Sequence, residues 1–180
     1  MTADFSPRHA RPAPAAIRPL VCHGWTLLQW EGFTDRWRAL TSQVTALQAA
    51  DSTGYHEHQA ARFLASLHKL VTETIPADPA NPAYRLGTTM GDDAKFWRRA
   101  KLHGRYRLFF RYHSEQKVIL YAWLNDENTL RKAGARSDPY AVFRQMIESG
   151  KPPSNWDELL AACTPFAAAG MASTNEGTTA

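Results

Sequence analysis

Hydrophobic positions in the first third of the chain recur at helical spacing. Phe33, Trp37, Leu40, Val44 and Leu47 follow one another by steps of four and three, which lines one face of a helix. A second run from about Tyr55 puts Ala60, Phe63, Leu64, Leu67, Leu70 and Val71 on one side and predicts a second helix. Ser52, Thr53 and Gly54 separate the two, so they form an αα-hairpin. Ahead of it, Gly24 to Trp30 reads as a short first strand. Behind it, IPADPANPAYRLG (75–87) holds three prolines in seven residues and predicts a connector, because proline removes the donor a helix interior needs.

The period then changes to two. In KFWRRAKLHGRYRLFFRY (95–112), Arg99, Lys101 and His103 fall on one face with Ala100 and Leu102 opposite; after Gly104, Arg105, Arg107, Phe109 and Arg111 alternate with Tyr106, Leu108, Phe110 and Tyr112. That is a hairpin with one apolar and one cationic face. After a turn at Ser114 to Gln116, KVILYAWL is apolar at both parities and predicts a central strand covered on two sides. NDENTLRKAGARS (125–137) is a polar loop. It leads into a helix with Asp138 as N-cap, Pro139 at the first position and Gly150 as the stop. A last short helix starts near Ser154, whose spacing to Asp157 resembles a capping box. The order describes an α+β domain: an N-terminal strand and helical hairpin packed on a small, mainly antiparallel sheet, with a C-terminal helix or helices. Helices cover one sheet face and the other is left available.

Charge sharpens this picture at one place. Residues 95–112 hold seven of the 21 Lys and Arg and no acid, so they carry +7 in a chain of net charge +4, and the remainder is net −3. Neighbouring like charges on a strand repel and cost stability, so such a stripe is the electrostatic footprint of a polyanion binder. Length and a 44% hydrophobic content fit one domain, spanning residues 21–166. Residues 1–20, with four prolines and no apolar signal core, read as an unpacked arm, and 167–180 as a polar tail. No segment has the length and apolarity to span a bilayer, and the expected location is cytoplasmic. Cys22 and Cys163 lie in no ligand or disulfide pattern. His56, Glu57 and His58 lack the i, i+4 histidines of a zinc helix, so neither a metal nor another cofactor is expected.

The cationic stripe also lacks the paired histidines of many ribonucleases and a carboxylate cluster for magnesium. Chemistry there has to be metal-free, and RNA provides its own nucleophile in the 2′-hydroxyl. Lys101, between Arg99 and Arg105, is crowded by like charges, which favours its neutral, proton-accepting form. Arg107 is the arginine best placed along the strand to meet charge developing on phosphorus. The polar loop offers Asn125, Asp126, Glu127 and Arg131, and the following helix offers Tyr140 in its first turn. Arg98, Arg105, Arg111 and Arg136 read as RNA phosphate contacts. Binding without catalysis, in promoter autoregulation or as an antitoxin's partner, is the competing reading.

GRYRLFFRY (104–112), WLNDENTLRKAG (123–134), DPYAVF (138–143) and the PP-x-x-W of Pro152 to Trp156 together resemble the YhaV toxins of the RelE superfamily. Gly24–Trp25, the helical hairpin and NPAYRLG (81–87) fit as well, so the likeness covers roughly residues 21–163. The resemblance implies a RelE-like fold and a ribosome-dependent mRNA endonuclease of a type II toxin–antitoxin system, working without metal. It also implies a PrlF-type, AbrB-like antitoxin in a hetero-oligomer that binds promoter DNA. By motif, the superfamily's catalytic positions correspond to Arg99, Lys101, Arg107, Arg131 and Tyr140, with Arg136 a rival for Arg131.

Overall fold

The computed structural model describes residues 18–87, 90 and 94–167. Most of the expected N-terminal arm and the expected tail from Ala168 lie outside them. Six strands of the described residues form one sheet: β1 (Val21–Cys22), β2 (Trp25–Gln29), β3 (Arg98–Leu102), β4 (Tyr106–His113), β5 (Val118–Leu124) and β6 (Thr164–Pro165). Among the described residues, five α-helices accompany it: α1 (Glu31–Ala50), α2 (Gln59–Lys69), α3 (Ile75–Ala77), α4 (Pro139–Glu148) and α5 (Trp156–Ala161). The sheet order is β1-β2-β5-β4-β3, with β6 added beside β2. β3, β4 and β5 form the antiparallel meander, whereas β2 joins β5 in parallel.

β5 is central, as its two-sided apolarity requires. Ile119 and Tyr121 face one core, Leu120 and Ala122 the other, and all four are fully buried. Trp123 pairs with Phe109 and Tyr121 with Phe110, so Ala122 is the extra residue of a β-bulge. The first core sets Phe33, Trp37 and Leu40 of α1 and Phe63 and Leu67 of α2 against Leu27, Leu108, Phe110 and Tyr121. Tyr121 reaches across this core, its hydroxyl donating to the Val71 carbonyl at 2.6 Å.

The opposite face is not left open, contrary to the expectation from the strand pattern. Phe143 of α4 stacks on Phe109 with ring centroids 4.1 Å apart, and Trp97 meets Phe143 edge-on at 5.0 Å. Leu159 of α5 joins this second core. α4 has an apolar side that must be buried, and the odd-numbered face of β4, with Phe109 at its centre, is the surface left to receive it. The cationic stripe is therefore interrupted, and its open part lies at β3 and the turn joining β3 to β4.

Smaller departures have local causes. His103 leaves the cationic face: its φ of 41° and the 70° of Gly104 turn the chain, and its ring packs on Phe63 in the other layer. The second helix continues through a π-turn at Leu70–Thr74 into α3, where Pro76 sits at the start of a new turn and needs no donor. The N-cap of α5 is Asn155 rather than Ser154, with its side chain accepting from Asp157 N and Glu158 N. The predicted caps of α4 hold: Asp138 accepts from Tyr140 N, and Gly150 follows the helix with φ 76°.

Candidate active site

β3 is an edge strand, and its odd positions place Arg99 and Lys101 side by side. Arg99 is half-buried. Its Nε donates to the Tyr140 hydroxyl at 2.7 Å and its Nη1 to the Ala83 carbonyl at 2.8 Å, so the NPAYRLG connector and α4 meet on one guanidinium. Tyr140 is directed there by its neighbours: the Asp138 cap fixes the first turn of α4, and the Tyr140 ring stands edge-on to Phe109 at 5.7 Å. Lys101 is exposed and lies across the ladder from Arg107.

Arg131 reaches the same place from the loop after β5. Its guanidinium lies 5.0 Å from the centre of the Tyr140 ring and pairs with the buried Asp138 carboxylate. Its backbone is held by reciprocal bonds: Arg131 N donates to Arg105 O at 3.0 Å, and Arg105 Nε donates to Arg131 O at 3.3 Å. Arg136 is exposed on the same loop and makes none of these contacts. Arg99, Arg131 and Tyr140 are thus assembled, with Lys101 and the exposed Arg105 beside them.

Asn125 makes the assembly possible. Fully buried at the end of β5, it accepts from Arg107 N and donates to Thr129 O at 2.8 Å and Arg105 O at 3.4 Å. It ties the turn before β4 to the loop carrying Arg131. In sequence it is one polar residue among several in a polar loop, and only its place directly after a buried strand could have singled it out. Asp126 instead closes a capping box with Thr129, and Glu127 pairs with Arg36 of α1 at 2.7 Å. Burial pushes the Asp126 carboxyl up, but bonds from the Thr129 hydroxyl and the Asn128 and Thr129 N–H groups outweigh it and leave the carboxyl below its ordinary range.

Two of the expected site arginines, the phosphate contact Arg111 and the catalytic candidate Arg107, are occupied internally. Arg111 is 7% exposed, donates to the Ser154 carbonyl at 2.7 Å, and lies 5.3–5.6 Å from the ring centres of Phe96, Trp97 and Trp156. Burial pulls its pKa below the ordinary value, and the carbonyl and ring faces take the place of water. Arg107 is 6% exposed and donates from Nη1 to the Gly104 and Tyr106 carbonyls, each at 2.7 Å, while its buried Nε has no partner. Arg98 projects from the other face of β3, bonded to the Lys95 and Trp97 carbonyls and lying over Tyr112. Among the described residues, no group of three or more His, Cys, Asp and Glu could hold a metal ion. Both cysteines are free, and burial pushes the Cys163 thiol up to about 12, which makes it a poor nucleophile.

Arg99 on the Tyr140 hydroxyl, Arg131 against its ring and exposed Lys101 on the same edge strand make an arrangement whose chemistry suits an anionic ligand. A family model described as "Toxin with endonuclease activity, of toxin-antitoxin system" matches residues 27–164. The chain is 42% identical over 143 residues to Toxin YhaV of Escherichia coli O6:H1 (strain CFT073), covering 78% of this chain and 93% of that one. It is 41% identical, with the same coverage, to Ribonuclease toxin YhaV of Escherichia coli strain K12. No solved structure matches. The chain belongs to the YhaV toxin family, and is by that membership a toxin with endonuclease activity whose system includes an antitoxin.

Proposed function

We propose that this toxin is a metal-independent ribonuclease that cuts mRNA on translating ribosomes in the cytoplasm, with the cleft of Arg99, Lys101, Arg131 and Tyr140 as its active site. The observation that carries this reading is the Tyr140 hydroxyl bonded to Arg99 at 2.7 Å, with Arg131 against its ring and exposed Lys101 on the adjoining strand. Lys101 takes the proton of the 2′-hydroxyl, whose oxygen attacks the adjacent phosphorus. The phosphorus–O5′ bond breaks, leaving a 2′,3′-cyclic phosphate. The phenol oxygen of Tyr140 accepts from Arg99, so its own proton is free to go to the departing 5′-oxygen. Arg131 meets the charge on the non-bridging oxygens.

The sequence assigns that last task to Arg107. Its Nη1 is committed to two turn carbonyls, so its part is to shape the turn that presents Lys101. Arg105 and Arg136 flank the cleft as phosphate contacts, and Arg98, on the other face of β3, is placed to meet a phosphate farther along the strand. The partner we propose is a PrlF-type, AbrB-like antitoxin that covers the exposed cations, the complex binding its own promoter DNA. The kinship to a protein named a ribonuclease supports the substrate class.

The test is end-mapping of naked RNA and of mRNA on translating ribosomes, each incubated with purified protein in EDTA. Cyclic-phosphate ends that appear with ribosomes and persist in EDTA are expected. A strict need for a divalent metal would sink the mechanism, and equal cutting of naked RNA would remove the ribosome from it.

A further inference from the structure

The PP-x-x-W motif and the rings before β3 have no part in the cleft above, yet they build a second one. Phe96, Arg98, Arg111, Tyr112, His113 and Trp156 line a cleft of about 380 Å³. Phe96 is 59% exposed, among the few large apolar side chains turned to solvent. Arg111 is fixed beneath it, against Phe96, Trp97 and Trp156, while Arg98 covers Tyr112 from the adjacent strand face. Trp156 is held in place as well, with its Nε1 donating to Gln116 at 2.9 Å and its ring 5.3 Å from that of His113. Exposed Lys95 carries its ammonium 5.1 Å from the Phe96 ring centre. The single acid in the lining is Asp157.

Exposed rings set among fixed cations are the chemistry of single-stranded nucleic acid binding: a base stacks on the ring while cations hold the backbone. We propose that this cleft is a subsite for a nucleotide of the RNA strand beyond the scissile linkage, its base on Phe96 and its phosphate toward Lys95 and Arg98. The placement suits one continuous strand. Phe96 and Lys101 are five residues apart on the chain that becomes the sheet's edge, a span of at most about 16 Å for an extended chain and less here, because Phe96 lies in the turn that Trp97 N closes on the Ala94 carbonyl. A base arriving on Phe96 displaces the Lys95 ammonium from the ring toward the phosphate that comes with it. An acidic protein segment would be drawn by the same charges, but it has less use for an exposed ring set over the Arg111 guanidinium.

This inference rests on RNA as the substrate, though not on its cleavage, so the probe is an RNA that cannot be cut. Full-length protein is titrated against a fluorescent single strand of about twelve 2′-O-methyl nucleotides and followed by anisotropy. Phe96→Ala is expected to weaken binding about tenfold or more, and Phe96→Trp to stay close to wild type. Val21→Ala, an equally exposed apolar residue at the other end of the sheet, serves as the control and is expected to change nothing. Equal affinity of Phe96→Ala and wild type overturns the subsite, even if the enzyme cuts RNA as proposed. A Phe96→Ala protein that binds the RNA normally but no longer holds its antitoxin also overturns it, and makes the cleft a protein-docking surface. Phe96-dependent binding by a protein that cuts no RNA supports the subsite and sinks the cleavage reading.

Discussion

The chemistry proposed for this toxin comes down to three kinds of side chain, those that react, those that aim, and those that hold. Lys101 belongs to the first. Because it is exposed, Lys101→Ala is expected to lower cleavage by about 10²-fold or more while leaving the thermal midpoint unchanged, as single-turnover rates and a melt would show. Tyr140→Phe keeps the ring against Phe109 and Arg131 but removes the hydroxyl that Arg99 addresses. A cleavage loss of about 10–10²-fold with RNA affinity preserved is expected; an unchanged rate would take Tyr140 out of the mechanism. Asn125 holds. Asn125→Asp retains the oxygen that accepts from Arg107 N but loses both amide donors in a buried site, so destabilisation of about 1–3 kcal/mol is expected in urea unfolding, with a slower enzyme at temperatures where it is still folded.

Among the elements, α4 does two jobs. It closes the second core and delivers Tyr140, and both depend on Phe143 stacked on Phe109. Phe143→Ala is expected to cost about 3–5 kcal/mol and to reduce cleavage more than Asn125→Asp at equal folded fraction, because it frees the helix that carries the hydroxyl. The loop after β5 has its own acid sensitivity. Although burial pushes Asp126 and Glu127 up, hydrogen bonds, for Glu127 that from Arg36 first, hold both below the ordinary carboxylate range. Groups with lowered folded values stabilise the protein above about pH 4 and lose that contribution as the pH falls through the lowered value. The gap in thermal midpoint between wild type and Asp126→Asn is therefore expected to narrow on acidification below about pH 4. A gap that widens there would mean that the carboxylate is not what the cap uses.

For the whole molecule, segregated charge is the dominant physical fact. Binding to RNA releases counterions in proportion to the phosphates neutralised, so affinity is expected to fall steeply and linearly in a log–log plot against salt. The slope should shrink by about one when Lys101 is removed. Arg111 and Arg107 should leave the slope nearly unchanged, since their guanidiniums are committed inside the protein. Among the described residues no helix is long and apolar enough to cross a membrane.

Local pattern sufficed wherever neighbours in sequence supply the physics. Helical spacing marked α1 and α2, two-sided apolarity marked β5 as central, and Asp-Pro marked the start of α4, because each rests on contacts within a turn or across one strand. The cations of β3, and Tyr140 beside them, were legible through alternation and through family likeness. What alternation could not reveal was which face would stay open. The odd face of β4 holds Arg107, Phe109 and Arg111, and its fate depended on α4 and α5, more than twenty residues away, needing somewhere to bury Phe143 and Leu159. Packing them there turned a candidate catalytic arginine, Arg107, and a candidate phosphate contact, Arg111, into internal braces and left the stripe's accessible charge at Lys95, β3 and the turn that follows it. It also brought Tyr140 to Arg99 and Arg131 to Tyr140. Periodicity reads burial one element at a time, whereas a site shared by an edge strand, a loop and a helix exists only once competing apolar surfaces have been matched.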